Sequence, residues 1–229
     1  MDYLAQGFIS AFTLLLNGDE ETYSAIFTTL KISTASITIS LGMGLPMGFM
    51  LGYYNFPGKR QIRAFVDTLL ALPTVVVGLL VYAFVTKKGP LGDFPLLFEL
   101  SGIIVAQIIL VIPIIISLTA TGIESLDERL KSTLLTLGAK GSRIITSSLY
   151  EARFAIMAAG VNAYGRAIAE VGISMMIGGN IKWHTRTITT AIALETGKGQ
   201  FAMGIALGIV LLLIGFAVNY ALIFFKRRA

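Results

Sequence analysis

Arg166 and Glu170 are the only charged residues in the run from Phe154 to Ile181. Four positions apart, they fall on one face of a helix, where opposite charges pair. An ionisable group inside a bilayer costs roughly 2.5–3.5 kcal/mol on insertion scales and turns toward protein or water. Two roles fit these residues. They form a structural ion pair that holds this helix to a neighbour, or their face borders a path in which Arg166 attracts an anion. Downstream, Trp183-His184-Thr185-Arg186-Thr187-Ile188-Thr189-Thr190 concentrates hydroxyl, imidazole and guanidinium donors. That segment reads equally as a solvated interfacial loop. His184 is the single histidine and cysteine is absent, so zinc, thiolate and disulfide chemistry lack ligands, and no metal site is expected. No Gly-x-x-x-x-Gly-Lys-Ser/Thr phosphate loop occurs; Gly197-Lys198-Gly199 lacks the hydroxyl residue that would follow. Scattered acids and a lone histidine do not make a nucleophile–base constellation either.

The elements that carry these residues are apolar. Of 229 residues, 55% are hydrophobic and 14% charged, against about 25% charged in soluble domains. Five stretches are each long enough to cross a bilayer, which takes roughly 20 apolar residues. They predict an all-α polytopic membrane protein, one domain over 1–229, with spanning helices at 24–54, 66–86, 101–122, 154–179 and 201–225. Residues 1–22 read as a short amphipathic surface helix followed by the acidic loop Asp19-Glu20-Glu21, or as the end of an extra span. The start of the chain lacks the basic region of a cleavable signal peptide. Proline and glycine fall inside the spans: Gly42, Gly44, Pro46 and Gly48; Leu72-Pro73-Thr74; Ile112-Pro113-Ile114. Proline removes a backbone donor and kinks a helix, and small residues bring helices together. A packed bundle with adjustable helices follows.

Lys and Arg collect on the cytoplasmic side of membrane proteins. Lys59, Arg60 and Arg63, then Arg129, Lys131, Lys140, Arg143 and Arg153, then Lys226-Arg227-Arg228 lie on one side of a five-span chain. That side outnumbers the other, so the amino terminus is expected outside and the carboxyl terminus in the cytoplasm. The cytoplasmic loop 124–151 is regular. Leu126, Leu130, Leu134 and Leu137 recur at three- to four-residue spacing, which makes an amphipathic helix. Gly138 supplies a helix stop, and a second helix begins near Ser142.

This loop resembles that of permeases of binding-protein-dependent ABC importers, whose hallmark is Glu-Ala-Ala, three residues, Gly, nine residues, a hydrophobe, one residue and Leu-Pro. Leu137-Gly138-Ala139 matches its centre. Ser132-Thr133-Leu134 stands in place of Glu-Ala-Ala, Ser148 in place of the hydrophobe, and Tyr150-Glu151 in place of Leu-Pro. A second segment, residues 165–196, is similar to the molybdate, tungstate and sulfate branch, in which an Arg-Ala-x-x-Glu-x-Gly run precedes Gly-Asn. Arg166, Ala167, Glu170, Gly172, Gly179 and Asn180 fit that run. Thr-Thr-Ala-Ile-Ala-Leu-Glu then looks most like the tungstate-specific permeases. The similarity extends over essentially the whole chain and is weakest in residues 1–25.

The resemblance implies a type I importer transmembrane fold with about five spans and a cytoplasmic coupling helix. It implies a permease in the cytoplasmic (inner) membrane of a bacterium or archaeon, and not an enzyme. ATP and Mg would bind a separate subunit, and this chain would hold no cofactor. The implied partners are a second permease copy, two ATPase subunits, an oxyanion-binding protein and the lipid bilayer, with no nucleic acid. Leu130, Leu134, Leu137, Gly138, Ala139 and Arg143 would couple to the ATPase. Arg166, Glu170, Gly172, Asn180, Thr185 and Arg186 would line the path or its gate. Tungstate, molybdate and sulfate are the candidate cargoes. A secondary transporter is the rival class; it would carry more intramembrane carboxylates than the one at Glu170.

Overall fold

The computed structural model describes residues 2–126, 133, 136–139 and 141–228, with side chains within 5–220. Among them the chain is helical throughout: α1 (Asp2–Leu16), α2 (Glu20–Tyr53), α3 (Lys59–Leu69), α4 (Thr74–Val85), α5 (Leu100–Glu124), α6 (Gly141–Glu151), α7 (Arg153–Ile168), α8 (Gly172–Gly178), α9 (Ile188–Gly197) and α10 (Phe201–Arg228).

The spine is the pair α2–α5. Asp19 starts α2 by accepting the Thr22 backbone N–H at 2.8 Å, which satisfies one of the amides a helix start leaves open. The acids Glu20 and Glu21 in the first turn favour the positive end of the helix. Further along, Gly44, Gly48 and Gly52 form a stripe at four-residue spacing. A Cβ there would lie 2.8 Å from Ile115 Cγ2, 2.8 Å from Ile116 O and 2.7 Å from Ala120 O respectively, so any side chain would push the helices apart. Pro46 and Pro113 sit inside α2 and α5 without ending either helix.

Three expected spans are single helices. Glu20–Tyr53, Leu100–Glu124 and Phe201–Tyr220 are each long and apolar enough to cross a membrane. The other two depart from expectation. The stretch 66–86 is not one helix: Leu70–Pro73 separates α3 from α4, and the two axes meet at 97°. Proline disfavours the helical conformation for the residue before it, here Leu72. The stretch 154–179 likewise divides at 169–171 into α7 and α8. With 12 and 7 residues, α4 and α8 rise about 18 and 10 Å, each well short of a hydrocarbon core of roughly 30 Å.

α1 is a helix, as expected, and it packs against α10. A Cβ at Gly7 would lie 2.5 Å from Ile205 Cγ2. Its exposed side carries Phe8, Ile9, Phe12 and Leu16. Its 15 residues rise about 22 Å.

Candidate functional site

The break between α7 and α8 is built from four helices. α7 ends at Ile168 with no proline near it. Gln107 of α5, 2% exposed, donates through Nε2 to Ala167 O at 3.1 Å and accepts from Ser36 Oγ of α2 at 2.7 Å. Thr189 of α9 donates to Glu170 O at 2.7 Å. The Glu170 carboxylate, 4% exposed, accepts the Ile173 backbone N–H at 2.9 Å. Side chains thus satisfy backbone groups on both sides of the gap, the condition under which a broken helix survives in a membrane.

Arg166 and Glu170 do not pair. The helix that would set them on one face stops at Ile168, so the four-residue spacing no longer fixes a common direction. Glu170 turns in toward α8. Arg166 stays exposed on α7 beside Asn162, Gly165 and Ala169, with no hydrogen bond or ion pair among the described residues. It stands about 20 Å along α7 from Arg153.

Gly172 brings α8 onto the start of α4. A Cβ there would lie 3.2 Å from Val75 Cγ2, 3.4 Å from Glu170 Oε1 and 3.5 Å from Thr74 Oγ1. One turn on, a Cβ at Gly78 would lie 3.1 Å from Met176 Sδ and 3.4 Å from Ile173 Cα.

Asn180, Thr185 and Arg186 come together in the loop after α8. Gly179 ends α8 in the left-handed conformation, and Asn180 and Trp183 also take positive φ. Fully buried Thr185 donates to Gly178 O and accepts from the Ile181 N–H at 3.0 Å. Arg186, 14% exposed, pairs with Glu21 at the start of α2 and donates to Asn180 Oδ1 at 3.2 Å. Lys182 reaches the other Glu21 oxygen at 2.6 Å, and His184 Nε2 lies 3.0 Å from Glu99. Thr187 caps α9 in a reciprocal box with Thr190. The donor-rich segment is therefore folded against α2 and α5, and most of its donors are spent internally.

Since Glu99, just before the start of α5, lies beside this loop, the last residue of α5, Glu124, marks the opposite end of the bundle. There Lys59 pairs with Glu124 at 3.1 Å and donates to Gly52 O at 3.2 Å. Arg63 pairs with Asp67 at 3.1 Å and donates to Thr121 Oγ1; Ser117 donates to Asp67 at 2.6 Å. Lys59, Arg63 and Asp67 recur every four residues, a signal present in the sequence; the partner Glu124 is not. Of the expected coupling residues, Leu130 and Leu134 lie outside the described residues. The Leu137 N–H bonds Thr133 O at 3.0 Å, one helical turn back. Gly138 follows with φ of 72°, the left-handed stop expected of it. Leu137 is 77% exposed; Ala139 and Arg143 flank the turn, and α6 begins at Gly141, near Ser142 as expected.

The family of binding-protein-dependent transport system inner membrane components matches residues 44–229. A tungstate uptake system permease, TupB of Campylobacter jejuni, is 47% identical over 96% of this chain and 92% of its own. TupB of Peptoclostridium acidaminophilum is 37% identical over 96% of both chains. Among solved structures, a bacterial alginate ABC transporter chain superposes with a TM-score of 0.76 at 20% identity, over 96% of this chain and 82% of that one. A MetNI methionine ABC transporter chain gives 0.73 at 18%, over 91% and 95%. The fold is that of a type I ABC importer transmembrane domain, and the chain belongs to the family of multi-pass permeases that form the inner membrane component of binding-protein-dependent transport systems.

Proposed function

We propose that this permease carries tungstate inward, as one of two copies that together enclose a path driven by separate ATPase subunits. The observation that carries the reading is Arg166: a guanidinium exposed on the wall of an apolar bundle, without a partner among the described residues, beside small residues that leave room around it. An unpaired cation at such a position faces protein or water rather than lipid. A second copy would enclose the face, and a tetrahedral dianion would complete its hydrogen bonds. The similarity to two tungstate permeases supports the choice of cargo.

The distribution of Lys and Arg supports a cytoplasmic carboxyl terminus and a cytoplasmic segment 124–151. In that orientation exposed Leu137 and the Gly138 turn dock in an ATPase that binds ATP and Mg. The loop around Asn180, Thr185 and Arg186 faces the binding protein and serves as the outer gate, with Gly172 behind it.

Proteoliposomes holding this permease, its ATPase and its binding protein test the reading. ATP-dependent uptake of tungstate is expected, with molybdate and sulfate as comparators. Arg166→Leu is expected to lower uptake at least tenfold while the complex still copurifies. Uptake at the unmodified rate would overturn the assignment of Arg166, and preferential uptake of molybdate or sulfate would overturn the cargo.

A further inference from the structure

The two interrupted stretches meet. Gly172, first residue of α8, sits against Thr74 and Val75, the first residues of α4. From there the two short helices run side by side, with Gly78 against Ile173 and Met176. They also share one core: Val77, Val81 and Val85 pack in the same cluster as Ile173 and Ile177, with Ile103, Ala106 and Leu110 of α5 and Ile32 of α2 as its other wall. Each is joined to the preceding helix only through a short non-helical link, 70–73 or 169–171. The two links therefore lead into adjoining helix starts and carry two helices packed on each other.

The pair also carries the loops at its far end. The Phe98 N–H bonds Ile177 O at 2.7 Å, and a Cβ at Gly179 would strike the Phe98 ring at 2.6 Å. A swing of α4–α8 therefore pulls on residues 86–99 and 179–187, the second of which Glu21 of α2 holds from its other side.

The links differ in how they are held. Pro73 starts α4 with no side-chain cap. At 169–171, Gln107 fixes the last turn of α7 to α5, Thr189 fixes the Glu170 carbonyl to α9, and the Glu170 carboxylate alone reaches across to α8. We infer that α4 and α8 swing as one body about the adjoining links, and that Glu170 is the positioning residue which sets the angle of that body by holding the Ile173 N–H.

That role needs an oxygen acceptor and not a charge, which separates it from an anion gate or a proton carrier. Its use in transport rests on the importer reading; its geometry does not. The test compares Glu170→Gln, which keeps an acceptor, with Glu170→Leu, which removes it at similar size. Both are studied in the intact complex by uptake and by amide hydrogen exchange. Glu170→Gln is expected to import within about twofold of the unmodified protein and to leave exchange over 172–178 unchanged, whereas Glu170→Leu lowers uptake at least tenfold and speeds exchange there at least tenfold. Thr189→Val, the milder change should Glu170→Leu fail to assemble, is expected to speed exchange over 170–178 alone. A non-hydrolysable ATP analogue is expected to change exchange at 70–73 and 169–171 together. Loss of uptake in Glu170→Gln equal to that in Glu170→Leu would overturn the acceptor role, as would unchanged exchange in Glu170→Leu or in Thr189→Val. A response at one link without the other would overturn the shared axis. If the unmodified complex imports no oxyanion, the importer reading falls, while the exchange of the Glu170 variants still judges the hinge.

Discussion

The breaks at 70–73 and 169–171 lead into helix starts that adjoin, Thr74–Val75 and Gly172, but are made by opposite means. The first is local: Pro73 disfavours helix at Leu72, and no side chain caps the start of α4. Its surroundings are fixed from one side, where Arg63 and Asp67 tie α3 to Thr121 and Ser117 of α5. The second contains no proline, and two of its three residues, Ala169 and Glu170, favour helix. It is imposed from outside, by Gln107 and Thr189 on other helices and by Glu170 folding back on the next turn. A break written into the chain persists without help, whereas a break imposed by partners lasts only while they stay. The second link is thus the one whose state neighbouring helices can change.

Gly78→Leu is expected to have the largest effect. It would force a side chain between α4 and the Ile173 backbone, destabilising the protein by about 3 kcal/mol and freeing the two short helices from each other. Thermal unfolding in detergent measures the first, and amide exchange over 74–85 and 172–178 the second. Gln107→Leu comes next, at about 2 kcal/mol, since it removes one bond to Ala167 and one from Ser36 in a buried setting; faster exchange is expected near 167–171 and not near 70–73. Pro73→Ala should be smallest, within about 1 kcal/mol either way. It restores a donor and a helical preference at a link whose neighbour α3 is already fixed by ion pairs. A Pro73→Ala effect larger than that of Gln107→Leu would reverse the assignment of which break depends on its partners.

The same contrast explains what could be read from the chain alone. Uninterrupted apolar length located α2, α5 and α10, because crossing a bilayer is a property of one segment. Gly138 was legible as a helix stop for a similar reason: its cost in the left-handed region is local. Leu72-Pro73-Thr74 was visible as a kink, but its size, 97°, depends on where α3 is tied. Nothing in Ala-Ile-Ala-Glu-Val-Gly announces the second break. The four-residue spacing of Arg166 and Glu170 suggested a pair because it presumed a continuous helix. The pairing of Arg186 with Glu21 spans 165 positions, and sequence spacing carries no information at that range. In the loop after α8, two of the positions singled out as donors, Thr185 and Arg186, are committed to Gly178, Ile181, Asn180 and Glu21.

The stripe of Gly44, Gly48 and Gly52 against α5 works like a toothed rail. At Gly48 and Gly52 the opposing atoms include the Ile116 and Ala120 carbonyls, and at Gly44 a β-branched side chain, so little is free to flex and absorb a small slip. A displacement of α2 along α5 would have to lift all three contacts together and would find its next matching notch only about 6 Å away. Intermediate positions are closed to it, so tension applied at one end of this spine reaches the other undiminished, and compliance is left to the shorter helices beside it.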